Sequence, residues 1–283
     1  MRTCTLLLAL PVLLSAAGPE LERASSYYHA TDFAQSLRIL QALPVKDGAA
    51  WELIGRNYYM QGDYRKSIDA LEKAAEAEPN DSNHALWLGR AWGRRAETSS
   101  PLGAPVSAVK ARQYFEKAVQ LNPRNLEALS DLLEYYLDAP GILGGGLDKA
   151  AATARQMGQL DPAEGQWAEA KLAEKRKDYG DAEDHLRRAA ASAPREPGRL
   201  IDLALFLSRQ GRYQEAEQSF AQAEKLSPEN PKALYGRAEA YIQARRNLAV
   251  AIELLNRYMN LALTDDDPLR REATKLLRQA QGH

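Results

Sequence analysis

Between residues 48 and 81 the chain carries two stretches of helical apolar spacing with a break between them. Trp51, Ile54, Gly55 and Tyr58 mark one face of a first helix, and Ser67, Leu71 and Ala74 mark one face of a second. Residues three and four apart share a helix face, so each stretch predicts an amphipathic helix with one buried stripe. Gln61-Gly62-Asp63-Tyr64 separates the two, with glycine suited to the left-handed conformation that ends a helix. Pro79 closes the unit, because the residue before a proline is pushed out of helical geometry. The same order of large and small residues returns in Leu200, Leu203, Ala204 and Leu207, followed by Ala216, Phe220, Ala223 and Pro228.

Five prolines, Pro79, Pro123, Pro162, Pro194 and Pro228, close five such units at spacings of 44, 39, 32 and 34 residues. A third unit begins at Ala85-Leu86-Trp87-Leu88-Gly89 and resumes at Ala111, Phe115 and Ala118, with ten extra residues assigned to a loop at Glu97–Pro105. A fourth has Leu132, Leu133 and Tyr136, then Ala150, Ala154 and Met157, joined by the glycine-rich insertion Ala139–Gly146. A shorter copy precedes them (Tyr27, Tyr28, Ser36, Leu40), and Ala238, Tyr241, Ala251 and Leu255 mark the last. Small residues stand where two helices meet closely and large ones fill the gaps between them. The predicted units are approximately 21–47, 48–81, 82–125, 126–162, 163–196, 197–230 and 231–264, followed by a helix over 268–281 that Asp265–Asp267 would cap.

These motifs resemble the tetratricopeptide repeat, whose pattern is W-x2-L-G-x2-Y, then A-x3-F, A and P over about 34 residues. The resemblance implies an all-α, right-handed solenoid of about seven helical hairpins with a C-terminal capping helix. Each repeat packs on its neighbours, and the terminal helix covers the last apolar face. It also implies a protein or peptide partner held in the concave groove lined by the first helix of each repeat. The groove positions of the family map here onto Arg56, Arg90, Arg94, Glu134, Trp167, Lys171, Ile201, Leu205 and Tyr235, among others. Arg56, Arg90 and Arg94 would then form a basic patch for a carboxylate, and Trp167, Ile201, Leu205 and Tyr235 an apolar continuation. Some relatives clamp a C-terminal carboxylate with asparagine after the glycine; Arg56 and Arg90 stand there instead, so that clamp is not matched. Trp167 falls either in the groove or, shifted by one residue, in the buried Trp slot, with the Ala170 register favouring the groove.

The first 17 residues read differently. Arg2 gives a basic start, Leu6–Leu14 is almost wholly apolar, and Ser15-Ala16-Ala17 supplies small residues for cleavage. That is the plan of a secretory signal peptide, and the run is well short of the roughly 20 residues that span a bilayer. The expectation is export, most simply to a bacterial periplasm, without stable membrane insertion of the remaining chain. Cys4, the single cysteine, would leave with the signal and does not follow the apolar run as a lipid-anchored cysteine would. The net charge of −1, or −2 without Arg2, favours neither nucleic acid nor an acidic partner in bulk.

Catalytic and metal motifs are weak. The histidines, His29, His84, His185 and His283, lie in different units or at the terminus, with no HExxH or CxxC spacing. Asp181, Asp184 and His185 read as a solvated helix face rather than ligands. Gly144-Gly145-Gly146 lacks a phosphate-loop spacing and follows a helix, so it reads as an extended turn. No catalytic, cofactor or metal residue is assigned. The reading is an exported non-enzymatic scaffold; the alternative is a small-molecule binder or enzymatic accessory protein using the insertions of the third and fourth units.

Overall fold

The computed structural model describes residues 18–264 and 266–282; the signal-peptide expectation for 1–17 lies outside them. Among the described residues there are fifteen α-helices and no strand. The first six form three hairpins: α1 (Gly18–His29) with α2 (Phe33–Ala42), α3 (Gly48–Met60) with α4 (Tyr64–Ala77), and α5 (Ser82–Thr98) with α6 (Ala104–Leu121). Four more follow: α7 (Leu126–Asp138) with α8 (Leu147–Leu160), α9 (Pro162–Arg176) with α10 (Tyr179–Ser192), α11 (Pro197–Arg209) with α12 (Tyr213–Leu226), and α13 (Pro231–Gln243) with α14 (Leu248–Met259). α15 (Arg270–Gln281) ends the chain's described part. Helices pack chiefly on their sequence neighbours, so the molecule is an all-α solenoid of seven hairpins and a terminal helix. No helix among the described residues is long and apolar enough to cross a membrane.

Caps start the helices. Asp32, Asp47, Asp63, Asp81, Asn125, Asp161, Asp178 and Asn230 each accept a hydrogen bond from a first-turn N–H. Each satisfies a donor that the helix itself leaves open. The small-residue slots are as tight as the repeat logic requires. Ala74, Ala118, Ala170 and Ala223 are fully buried. A Cβ on Gly165 of α9 would run into the Gly158 Cα of α8, so these two helices cross backbone on backbone.

Three expectations change. The loop expected over residues 97–105 is shorter than that: α5 and α6 run to 17 and 18 residues and take up both ends of the stretch, leaving Ser99–Gly103 between them. Pro105 sits in the first turn of α6, where a missing N–H costs nothing. Pro162 both follows α8 and begins α9, with Asp161 alone between them, which shortens that unit. The acidic run does not cap α15: its N-cap is Leu269, while the Asp267 carboxylate accepts from the Thr264 N–H at 2.7 Å and its hydroxyl at 2.8 Å.

The larger departure is where α15 goes. It packs on α13 and α14, as a cap should, but its side chains also reach the first hairpins. Leu269 is buried in the cluster of Tyr28, Leu37, Leu53 and Ile54. Arg270 donates to Thr31 Oγ1 at 3.1 Å, Arg271 donates to the Tyr64 hydroxyl, and Glu272 accepts from Arg94. The two ends of the solenoid are therefore tied through one helix.

Candidate partner-binding face

The inner side of the first three hairpins is built from aromatic rings and guanidinium groups. Trp87, one turn into α5, is 5% exposed and carries Arg56 and Arg90 against its ring, each 4.9 Å from the centroid. Arg56 also lies 5.2 Å from the Tyr28 ring and holds Glu52 at 3.3 Å. Tyr59 meets Trp87 edge-on at 5.4 Å. Such stacking fixes a cation in place while leaving its N–H groups for oxygen acceptors. Arg90 donates to Asp131 at 2.6 Å and to Glu127 at 3.2 Å, which bridges α5 to α7. One helical turn on, Arg94 holds Glu97 at 2.6 Å and Glu272 of α15.

Beside these arginines is a cleft of about 560 Å³, with Arg90, Arg94, Asp131, Glu134 and the exposed Asp266 on its walls. Ala96 and Glu97 of the lengthened α5, and Pro140 and Leu143 of the glycine-rich insertion, border the same cleft. That insertion is an ordered turn: Gly141–Leu143 is a short 3-10 turn, and the Tyr135 hydroxyl donates to the Leu143 carbonyl at 2.9 Å. The extra segments of the third and fourth units thus meet at one place, which their separation in sequence did not indicate.

Along the later hairpins the expected apolar stripe is corrected by burial. Trp167 is 7% exposed and Ile201 4%, so neither offers a surface of any extent. Lys171 and Arg199 cover the Trp167 ring at 5.3 and 5.5 Å. Leu205 is half-buried against Gly236, and Tyr235 is half-buried beside Tyr258, their centroids 5.5 Å apart. The physical reason is that neighbouring helices close over these side chains, with Lys171 and Arg199 on the Trp167 ring and Leu205 against Gly236 of the next hairpin.

The polar groups of the inner face share a common electrostatic state. Burial raises the carboxyls of Asp131, Glu134, Asp202 and Glu239 above the ordinary carboxylate range, against the opposing pull of Arg90, Lys171, Arg199 and Arg209 respectively. Glu134 is open to water yet crowded by protein on the inside of the curve, which is what weakens its solvation. Tyr235 is likewise raised by burial, with Glu239 and Glu272 adding to it and Arg94 opposing. Arg94 and Tyr235, from the third and seventh hairpins, therefore act on the same terminal helix. Of the nine positions projected onto the groove, Arg90, Arg94 and Glu134 line one cleft, and Arg56 joins them through Trp87. Sequence reasoning gave Trp87 only a place in its repeat unit and Asp266 only a capping role, and it passed over Asp131 and Glu272; for Glu272 the charged start of α15 was the available signal.

Comparison with known proteins agrees with this architecture. Models of the tetratricopeptide repeat match residues 48–81 and 201–268. No curated protein matches the chain. Among solved structures, a tetratricopeptide repeat protein from Parabacteroides merdae superposes with a TM-score of 0.58 at 14% identity, covering 93% of this chain and 98% of that one. A thermophilic tetratricopeptide repeat protein of Thermus thermophilus gives 0.54 at 20% identity, covering 72% of this chain and all of that one. Those identities carry the fold alone. Matched repeats at both ends of an unbroken helical-hairpin array make this chain a tetratricopeptide-repeat protein.

Proposed function

We propose that the protein is an exported, non-enzymatic scaffold whose inner face holds a protein partner through carboxylates that the partner presents to Arg90 and Arg94. The observation that carries this reading is the chain's own occupation of the site. Glu272 is bound to Arg94, and Asp266 adds its charge beside Arg90, so the surface already engages acidic side chains in this geometry. Stacking on Trp87 pre-orders Arg90, which reduces the entropy lost when a carboxylate is captured. A partner segment bearing two or more acidic residues replaces Glu272 and Asp266 without a change in chemistry.

The test is binding of an acidic peptide to the chain lacking residues 1–17. Glu272→Gln with Asp266→Asn is expected to raise affinity several-fold, since the internal competitors are weakened. Arg90→Glu with Arg94→Glu is expected to abolish binding, with salt dependence reflecting screening over about 8–10 Å. Equal affinity in all three proteins defeats the reading. Export rests on the pattern of residues 1–17, and an N-terminus near residue 18 on material recovered outside the cytoplasm is its measurement.

A second reading is favoured by one observation: both insertions border the 560 Å³ cleft, a size that fits a small molecule. In that case a small ligand raises the melting temperature, and Leu143→Ala removes the shift while acidic peptides leave it unchanged.

A further inference from the structure

At the joint between the second and third hairpins the turn Glu78-Pro79-Asn80-Asp81 is closed by the Asp81 N–H donating to the Glu78 carbonyl at 3.2 Å. The closure brings the two carboxylates to one side. His84 follows three residues later in the first turn of α5, and it is 3% exposed. One oxygen from each carboxylate and one nitrogen of His84 lie within 4.8 Å of one another. The pattern is Glu-x2-Asp-x2-His, which a search for histidine pairs or cysteines passes over.

The imidazole is held from behind. Its Nδ1 is 2.7 Å from Glu52 Oε2 on α3, and an ionised carboxylate only accepts, so Nδ1 carries the hydrogen. Nε2 is then the ring's remaining donor or acceptor. It is buried, has no hydrogen-bond partner, and faces Glu78 Oε2 at 3.8 Å. Two anions facing a buried nitrogen need a positive charge between them. A proton on Nε2 is the competing occupant, but 3.8 Å exceeds the reach of an N–H···O bond, which closes at about 2.7–3.2 Å. Two ligands each about 2.0–2.2 Å from a common ion stand at separations nearer the observed one.

The surroundings point the same way. At Gly48, the first residue of α3, a Cβ would fall 2.5 Å from Glu78 Oε1 and 2.9 Å from His84 Nε2, so that helix end is bare where the donors meet. The repeat does not impose this chemistry. The three corresponding slots hold Asn122, Asn125 and Ala128 at the next joint, and Ser227, Asn230 and Ala233 at the last.

We propose that Glu78, Asp81 and His84 Nε2 bind a divalent transition-metal ion of the zinc class, with Glu52 as the positioning carboxylate behind the imidazole. One nitrogen and two carboxylate oxygens suit zinc or cobalt, with solvent completing the coordination on the half-exposed Glu78 side. The ion ties α3, the α4–α5 turn and α5 into one unit. It thereby sets the angle between the hairpins that carry Arg56 and the Trp87–Arg90 pair.

The experiment is calorimetric titration of the metal-free chain, residues 18–283, with zinc, repeated with cobalt to read ligand-field absorption. One saturable site per chain is expected. Asp81→Asn keeps the α5 cap, and Glu78→Gln alters a half-exposed side chain, so both should stay folded by circular dichroism; combined, they should weaken binding at least 100-fold. Glu52→Gln should weaken it about 10–100-fold, the usual cost of losing a carboxylate behind a ligating histidine. His185→Gln should leave it unchanged. Absence of saturable binding in the parent chain overturns the proposal, as does binding that survives the Glu78→Gln, Asp81→Asn pair or is lost with His185→Gln.

Discussion

Hairpins one to three and hairpins four to six repeat the same core and use it differently. In the first group the inner face is aromatic and cationic: Tyr28, Tyr59, Tyr64 and Trp87 are interleaved with Arg56, Arg90 and Arg94. In the second the helices approach through small residues, Gly158 against Gly165 and the buried Ala168, Ala170, Ala182 and Ala189. Successive units there are linked by ion pairs such as Arg199–Glu164, Arg209–Glu174 and Arg212–Glu183. The first group also receives the terminal helix, through Thr31, Tyr64 and Arg94. A shared packing template therefore sustains two surfaces, one poised for carboxylates and one engaged mainly with itself.

The sharpest way to break the comparison is in the second group. Trp167→Ala should destabilise the chain by about 3–5 kcal/mol in chemical denaturation, because a buried indole is removed. A loss of binding without a loss of stability would instead make Trp167 a contact residue. Next in size, Gly165→Ala should cost about 1–3 kcal/mol by overpacking. Gly198→Ala, where the new Cβ meets open space, should stay within about 0.5 kcal/mol. If both behave alike, the backbone crossing of α8 and α9 is not as close as described.

A smaller and local effect is expected at the terminal helix. Glu272→Gln should lower hydrogen-exchange protection in α15 and leave α9–α12 unchanged, because Arg94 holds Glu272 from the first group. Uniform change across the chain would contradict the division. The smallest effect is in pH dependence. Burial raises the Glu134 carboxyl above its unfolded value, so the folded state binds the proton more tightly. Stability is then lost as pH rises from the unfolded pKa through the folded one. Glu134→Gln should accordingly be slightly more stable at neutral pH, with the gain vanishing on acidification below the unfolded carboxylate range. A gain that grows toward low pH would reverse the assigned sign.

The core was legible because it rests on local periodicity. Leu71 and Ala74, or Phe220 and Ala223, show which face of a helix is buried whatever lies beyond the neighbouring repeat. The inner surface was only partly legible. Arg90 and Arg94 were visible as one helical face, but Trp167 and Ile201 were placed on a surface that the packing of adjacent first helices buries. Composition alone also set the loop at 97–105 too long, because helix extension from both sides consumed its two ends and left Ser99–Gly103.

By itself the amino-acid order determined the all-α hairpins, their small and large slots and the proline-marked joints, since each depends on residues within one or two repeats. The return of α15 to Thr31, Tyr64 and Arg94 depends on contacts 239, 207 and 178 residues apart. That distance is set by the accumulated rotation of every intervening hairpin, and no short-range pattern encodes it. The meeting of Glu52 with His84 is of the same kind on a smaller scale, spanning 32 residues across a joint. Tertiary structure decided both, because a small angle at each packed interface becomes a large displacement only when the whole solenoid is assembled.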